Sequence, residues 1–220
     1  MIEYDKRFLM GIVRQFNKYL KIRSKKEITS GYGAFEYLLA AQRASLANKF
    51  IADVGANSKV LDIGCGSYPI FLLTSRFIEK IGIEKATDVN SAASRKFKLI
   101  NYDIEQEINH LPFDDNSINV ITMLAVLEHI RSSKITGIIS EIRRILTPGG
   151  ICIITVPSTW TYYLLYPMAK IGLVRKAEVA DHKSNLSSLE LSDIIKKAGF
   201  KEFKSGYFEL FMNRFFVAKK

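Results

Sequence analysis

Residues 60–69 read VLDIGCGSYP. A short apolar run carries Asp62 near its end, and Gly64 and Gly66 follow at once, flanking Cys65. A Gly-x-Gly turn between a strand and a helix bares backbone N–H groups and lets a ligand lie against the main chain. Three ligand classes compete for such a turn. A nucleoside triphosphate needs GxxxxGK[ST], and no Lys or Ser/Thr stands in that register here. A dinucleotide wants GxGxxG, but the third glycine position holds Pro69. What remains is a nucleoside ligand without a tightly clasped pyrophosphate.

The texture around this turn alternates strands and helices. VLDI is a short strand, with a helix expected from about Pro69 to Lys80. IGIE, KLINYD and INVITMLA read as the next three strands. SKITGIISEIRRIL is an amphipathic helix expected to stop at TPGG, and ICIITV is a fifth strand. Ser187 to Glu190 form a capping box, and the helix it opens is expected to close at Gly199. FKEFKSGYF and LFMNRFFVAKK are two last strands. Alternation of this kind predicts an α/β fold: a mainly parallel sheet with helices on both faces, binding its ligand beyond the carboxyl ends of the strands. Residues 1–56 precede it as a helical extension. EYDKRFLMGIVRQFNKYLKI carries one apolar stripe, and AFEYLLAAQRASLANKFIADV follows after a charged break.

Acids recur at the strand ends. Glu84 closes the second strand, 20 positions after Gly64, where a carboxylate can accept from both ribose hydroxyls. Asp103 follows the third strand, where its carboxylate and the next N–H suit an adenine edge. One such acid is ordinary surface chemistry. Asp62, Glu84 and Asp103 on three successive strands point to a nucleoside site.

VLDIGCG, IGIEK, YDIEQEINHLPFDDNSINVITMLAVLEHI and EIRRILTPGG, in this order, resemble class I S-adenosylmethionine-dependent methyltransferases, nearest the branch that acts on small molecules. The resemblance covers about residues 45–158, and the closing pair of strands extends it to the end of the chain. It implies a Rossmann-like seven-stranded sheet with the last strand antiparallel, forming a domain over residues 57–220 with a substrate-covering insertion at about 158–183. It also implies S-adenosyl-L-methionine as cofactor. Asp62, Gly64, Cys65 and Gly66 would surround its methionine part, Glu84 the ribose with Lys85 beside the adenine, Asp103 and Ile104 the adenine edge, and Leu124 would line the cofactor. The family's third glycine is replaced by Tyr68, and its usual Phe-Asp before the fourth strand by Ile118-Asn119. No Asn/Asp-Pro-Pro-Tyr follows the fourth strand, which argues against methylation of base amino groups by that device.

Composition bounds the rest. The 220 residues are 48% hydrophobic and 25% charged, enough for one sizeable core. Cys65 and Cys152 match no CxxC pair, so no metal site or disulfide framework is expected, and a reducing, cytoplasmic setting is. No apolar run is long enough to span a bilayer, and no signal peptide is read at the start. The net charge of +10 is uneven: residues 59–160 balance 11 Lys/Arg against 11 Asp/Glu, while residues 1–58 hold 10 against 5 and residues 161–220 hold 11 against 6. Basic flanks on a neutral core suit an anionic partner, a membrane surface among them, or simply a solvated exterior.

Methyl transfer from a sulfonium is an in-line displacement, so alignment dominates, and a base is needed only for a protonated nucleophile. His129, in LEH after the fourth strand, and His182, in ADHKS, are the candidate bases. His110 reads as surface, and Cys65 as a small packed residue rather than a nucleophile. Trp160, Tyr162, Tyr163 and Tyr166, followed by Lys170, Arg175 and Lys176, suit a small-molecule or amphiphilic acceptor, an anionic one, or a membrane surface. Two other classes stay open: an RNA-directed methyltransferase, though no added nucleic-acid module is found, and a non-catalytic cofactor-binding protein.

Overall fold

The computed structural model describes residues 34–66, 68–85, 96–106, 110–161, 184 and 186–220. The stripe expected in residues 1–30 and the candidates Tyr162, Tyr163, Tyr166 and His182 lie outside the described residues.

The elements follow in the expected alternation. Helix α1 is Ala34–Phe50, strand β1 Lys59–Ile63, helix α2 Ile70–Thr74 and strand β2 Glu79–Glu84. Then come β3 Lys98–Asn101, β4 Ile118–Leu124, a single 3₁₀ turn Leu127–His129, and helix α3 Ser132–Ile145. Strand β5 is Leu146–Pro157, helix α4 Ser188–Lys197, and β6 Glu202–Phe208 and β7 Asn213–Lys219 close the chain. The sheet has seven strands in the order β3-β2-β1-β4-β5-β7-β6. Neighbours from β3 through β5 pair in parallel, and β7 runs antiparallel to both β5 and β6.

Side chains alternate across the sheet because the strand period is two. Leu61 and Ile63 of β1 enter one buried cluster, with Ile121 and Met123 of β4. Val60 and Val120 enter the other. The first cluster is roofed by α3, which buries Ile135, Ile138, Ile139, Ile142 and Ile145, a three-to-four spacing that keeps one stripe on the sheet. The second is roofed by α1, through Tyr37, Ala41, Ala44 and Ala47, and by Ile70, Phe71 and Leu72 of α2. Both faces are therefore covered, as the alternation predicts.

Several boundaries differ from the sequence reading; residues 210–212, read as strand, form the turn before β7. Helix α2 ends at Thr74 rather than near Lys80, because Ser75 turns to extended backbone and the chain must enter β2 at Glu79. TPGG does not separate α3 from the fifth strand but lies inside β5. Leu146 pairs with Ile118 and Ile151 with Val120, so the extra residues are absorbed as a register shift, and Gly149 N–H donates to the Lys220 carbonyl. The helix at 188–197 begins as expected: Ser187 Oγ accepts from Glu190 N–H while the Glu190 carboxylate accepts from Ser187 N–H.

Candidate functional site

A cleft of about 290 Å³ opens at the carboxyl ends of β1, β2 and β4. Parallel pairing brings those ends level, with Ile63 beside Ile83 and Glu84 beside Asn101. Its wall includes Gly64 and Gly66 from the turn after β1, Glu84 and Lys85 from the end of β2, and Asp103 and Ile104 after β3. Six of the nine residues expected at a cofactor thus meet in one place.

The glycine turn is shaped by its neighbours. Gly64 and Gly66 have φ of 67° and 71°, the left-handed region that glycine occupies without strain. A Cβ on Gly64 would stand 2.5 Å from Val126 Cγ2, so that position excludes any side chain twice over. Glu84 grips the turn from the next strand: Oε2 accepts from Gly66 N–H at 2.9 Å and Oε1 from Lys85 N–H at 2.9 Å. Asp103 uses Oδ1 locally, accepting from Glu105 N–H at 2.9 Å and Gln106 N–H at 3.3 Å. Asp103 lines the cleft beside Ile104.

Three expected residues sit behind the cleft wall. Asp62 is buried, and its Oδ1 accepts from Thr122 Oγ1 at 2.6 Å, tying β1 to β4 on the α1 face. Burial first, against the Thr122 bond, pushes its carboxyl up to about 7, and the neighbouring Glu84 charge adds to this. Cys65 turns its thiol toward Gly82, where an added Cβ would stand 2.7 Å from the sulfur. Burial and the Asp62 and Glu84 charges raise the thiol further from ionisation. Leu124 packs into the α1-side cluster instead of lining the cleft. Ala125 and Val126 take that place, because Ala125 adopts φ of 58° and turns the chain over the end of β4. Thr155 holds this turn, its Oγ1 and carbonyl both accepting from Ala125 N–H.

His129 lines the cleft on the 3₁₀ turn, with Ile130 after it. Sequence reasoning missed Tyr102, whose ring stands in the wall while its hydroxyl donates to the His110 carbonyl at 2.8 Å. The aromatic spacing gave no cue, since only the pairing of β3 with β2 brings Tyr102 to the cleft. His110 is exposed, 3.9 Å from Glu141, as its polar loop suggested. Trp160 does not reach the cleft; its indole N–H donates to the Phe211 carbonyl at 3.0 Å.

Beyond the cleft, α1 leans over the same rim. Tyr37 pairs with Tyr68, ring centroids 6.3 Å apart, so the residue replacing the family's third glycine packs on α1. Glu128 is buried next to His129, and burial raises its carboxyl against the opposing charges of His129, Arg43 and Arg214. Glu209 is pushed up to about 7 by burial, again opposed by Arg43. Arg43 of α1 is therefore close to both acids. A separate void of about 10 Å³ touches Glu128, Ser184 and Arg214, room for about one water and no larger ligand. Among the described residues no group of three or more His, Cys, Asp or Glu is placed to hold a metal ion.

Residues 61–154 match the family described as a methyltransferase domain. An uncharacterized protein of Methanocaldococcus jannaschii is 37% identical over 97 residues, covering 44% of this chain and 40% of that protein. A protein of Mycolicibacterium smegmatis described as a probable S-adenosylmethionine-dependent methyltransferase is 27% identical, over 66% of this chain and 52% of its own length. The tRNA N(3)-cytidine methyltransferase METTL2 of Xenopus tropicalis is 28% identical, over 51% of this chain and 36% of its own. The chain thus spans about half, or less, of the curated relatives it matches. Among solved structures, a SAM-dependent methyltransferase from Archaeoglobus fulgidus superposes with TM-score 0.65 at 18% identity, covering 82% of this chain and 94% of that one. At that identity the superposition establishes the fold. The matched residues 61–154 carry the glycines and strand-end acids that meet in the cleft, and this part of the chain is similar to a methyltransferase domain.

Proposed function

We propose that this protein transfers a methyl group from S-adenosyl-L-methionine to a small, amphiphilic acceptor. The observation that carries the cofactor half is the convergence of Gly66 N–H, the Glu84 carboxylate, Asp103 and Ile104 on one cleft. A nucleoside fits this donor set: Glu84 would accept from the ribose hydroxyls, and the Asp103 carboxylate with Ile104 N–H would meet an adenine edge. Gly64, which lines the cleft without a side chain, would stand by the methionine part. Bound there, the cofactor supplies an electrophilic methyl on a sulfonium.

The chain's own residues then align and desolvate the acceptor. His129, in the cleft wall, would take a proton from a hydroxyl or amine nucleophile. Selection of the acceptor falls to sequence outside the matched 61–154, namely the 1–56 extension and about 158–183. Tyr37 and Arg43 of α1 support this, since they reach the rim at Tyr68 and at the Glu128 and Glu209 carboxyls. The aromatic and then cationic order from Trp160 to Lys176 supports an amphiphile.

A second reading, an RNA acceptor, is favoured by the likeness to METTL2 and by the basic flanks. Incubation with methyl-labelled cofactor and fractionated cell extract separates the two. Label in a low-molecular-weight, organic-extractable product supports the first; label that nuclease treatment releases supports the second. Cofactor binding with label in neither fraction would mean a binding protein without turnover.

A further inference from the structure

The hairpin between β6 and β7 breaks a local rule. Glu209, Leu210 and Phe211 are consecutive non-glycine residues with φ of 52°, 54° and 67°. Left-handed backbone is costly for such residues and persists only where the surroundings impose it. They do so here. Ser158 Oγ donates to the Phe211 carbonyl at 2.6 Å, and the Trp160 indole donates to the same oxygen. Thr161 Oγ1 and Ser158 N–H both donate to the Met212 carbonyl, at 2.7 and 2.8 Å. This anchored turn holds apolar side chains out in solvent: Leu210 is 85% exposed and Phe211 66%, with Tyr207 against the Phe211 ring.

The tip stands at the rim where the cleft opens, because Asn213 pairs with Pro157 at the carboxyl end of β5. Three strand spacings, about 14 Å, separate β1 from β7. The stretches joined in sequence to α1 and to Thr161 are basic. Residues 1–33 hold 8 Lys/Arg against 3 Asp/Glu and run into α1, which meets the glycine turn through Tyr37 and Tyr68. Residues 162–183 hold 4 against 2, between Thr161 on the hairpin and Ser184, whose N–H donates to the Glu128 carbonyl. Most of the net +10 thus lies in these two stretches of sequence.

We propose that Leu210 and Phe211, flanked by Trp160 and Tyr207, insert into the surface of an anionic phospholipid bilayer. An apolar tip with amphipathic aromatics, on a chain of net charge +10, supplies what an interfacial anchor to anionic lipid needs. Docked this way, the rim faces the membrane, and an acceptor dissolved in the bilayer reaches the cleft without crossing water. The acceptor's route rests on the amphiphilic reading above; the docking itself does not.

Trp160 is the only tryptophan, so its emission reports the tip directly. Full-length protein is titrated with vesicles of phosphatidylcholine alone and of phosphatidylcholine mixed with phosphatidylglycerol. With the anionic vesicles the emission moves to shorter wavelength, brominated acyl chains quench it, and raising salt from ~0.1 M to ~1 M weakens the effect as the Debye length shortens. Leu210→Asn/Phe211→Asn, with a residue that tolerates left-handed backbone, weakens vesicle binding at least about tenfold and leaves the melting temperature and S-adenosylhomocysteine affinity unchanged. No emission shift, or equal binding by the variant, overturns the proposal. So does a dimer that the same variant dissolves, which would assign the tip to a second copy of the chain. Vesicle binding without S-adenosylhomocysteine binding would instead overturn the cofactor reading and leave the docking surface in place.

Discussion

The Glu84 carboxylate closes on the Gly66 amide at 2.9 Å, across 18 residues of sequence. The acid at the end of β2 therefore holds the glycine turn as well as facing the cleft. Replacing it by alanine removes a charged acceptor from both the turn and the ligand. A charged hydrogen-bond set is worth about 1.5–3 kcal/mol, so Glu84→Ala lowers S-adenosylhomocysteine affinity by roughly one to two decades. Calorimetry checks this, with circular dichroism as the fold control. Wild-type affinity would place the ribose elsewhere.

Gly64 is constrained by backbone and by Val126 together. Gly64→Ala meets the 2.5 Å contact with Val126 Cγ2 and a φ of 67° that alanine resists. A loss of about 1–3 kcal/mol in denaturant unfolding is expected, with weaker cofactor binding. Adding Val126→Ala recovers the steric share but not the backbone share, so the double variant stays below Val126→Ala alone. Additive losses in this cycle would mean that the two residues do not touch.

Asp62 carries a pH signature. Its carboxyl is raised from 3.8 to about 7, so between those values the folded state holds a proton that the unfolded state has lost. Stability from this group is greatest below about pH 4 and falls as pH rises toward 7, by on the order of a few kcal/mol. Above that its contribution is flat. Asp62→Asn removes the titration, so the variant gains on the wild type between pH 5 and pH 8. Chemical unfolding at both pH values measures the gain, and an unchanged difference would show the carboxyl to be ionised throughout.

Cys65 stands buried in the glycine turn. Its thiol is buried and held protonated, with Gly82 leaving the space it fills. Native protein should react with a disulfide reagent at least about tenfold slower than unfolded chain, because only thiolate reacts. Cys65→Ala should retain methyl transfer at a modest stability cost of about 1 kcal/mol. Abolished transfer with intact cofactor binding would give the sulfur a chemical role.

Local pattern alone determined much of this protein. Period-two runs marked the strands, the 3.6-residue stripe marked α3, and Ser187 with Glu190 marked the start of α4, because each signal lies within a few residues of itself. The glycines and strand-end acids were legible for the same reason: parallel strands of similar length align their carboxyl ends. Which way a side chain faces was not legible. Asp62 answers to Thr122 and Trp160 to Phe211, 60 and 51 residues away, and only strand pairing brings them together. The left-handed turn at Ala125 moved the cleft wall from Leu124 to Val126, and the exposed Leu210 and Phe211 looked like ordinary strand residues. Their meaning rests on hydrogen bonds from a distant loop, which no local window of sequence contains.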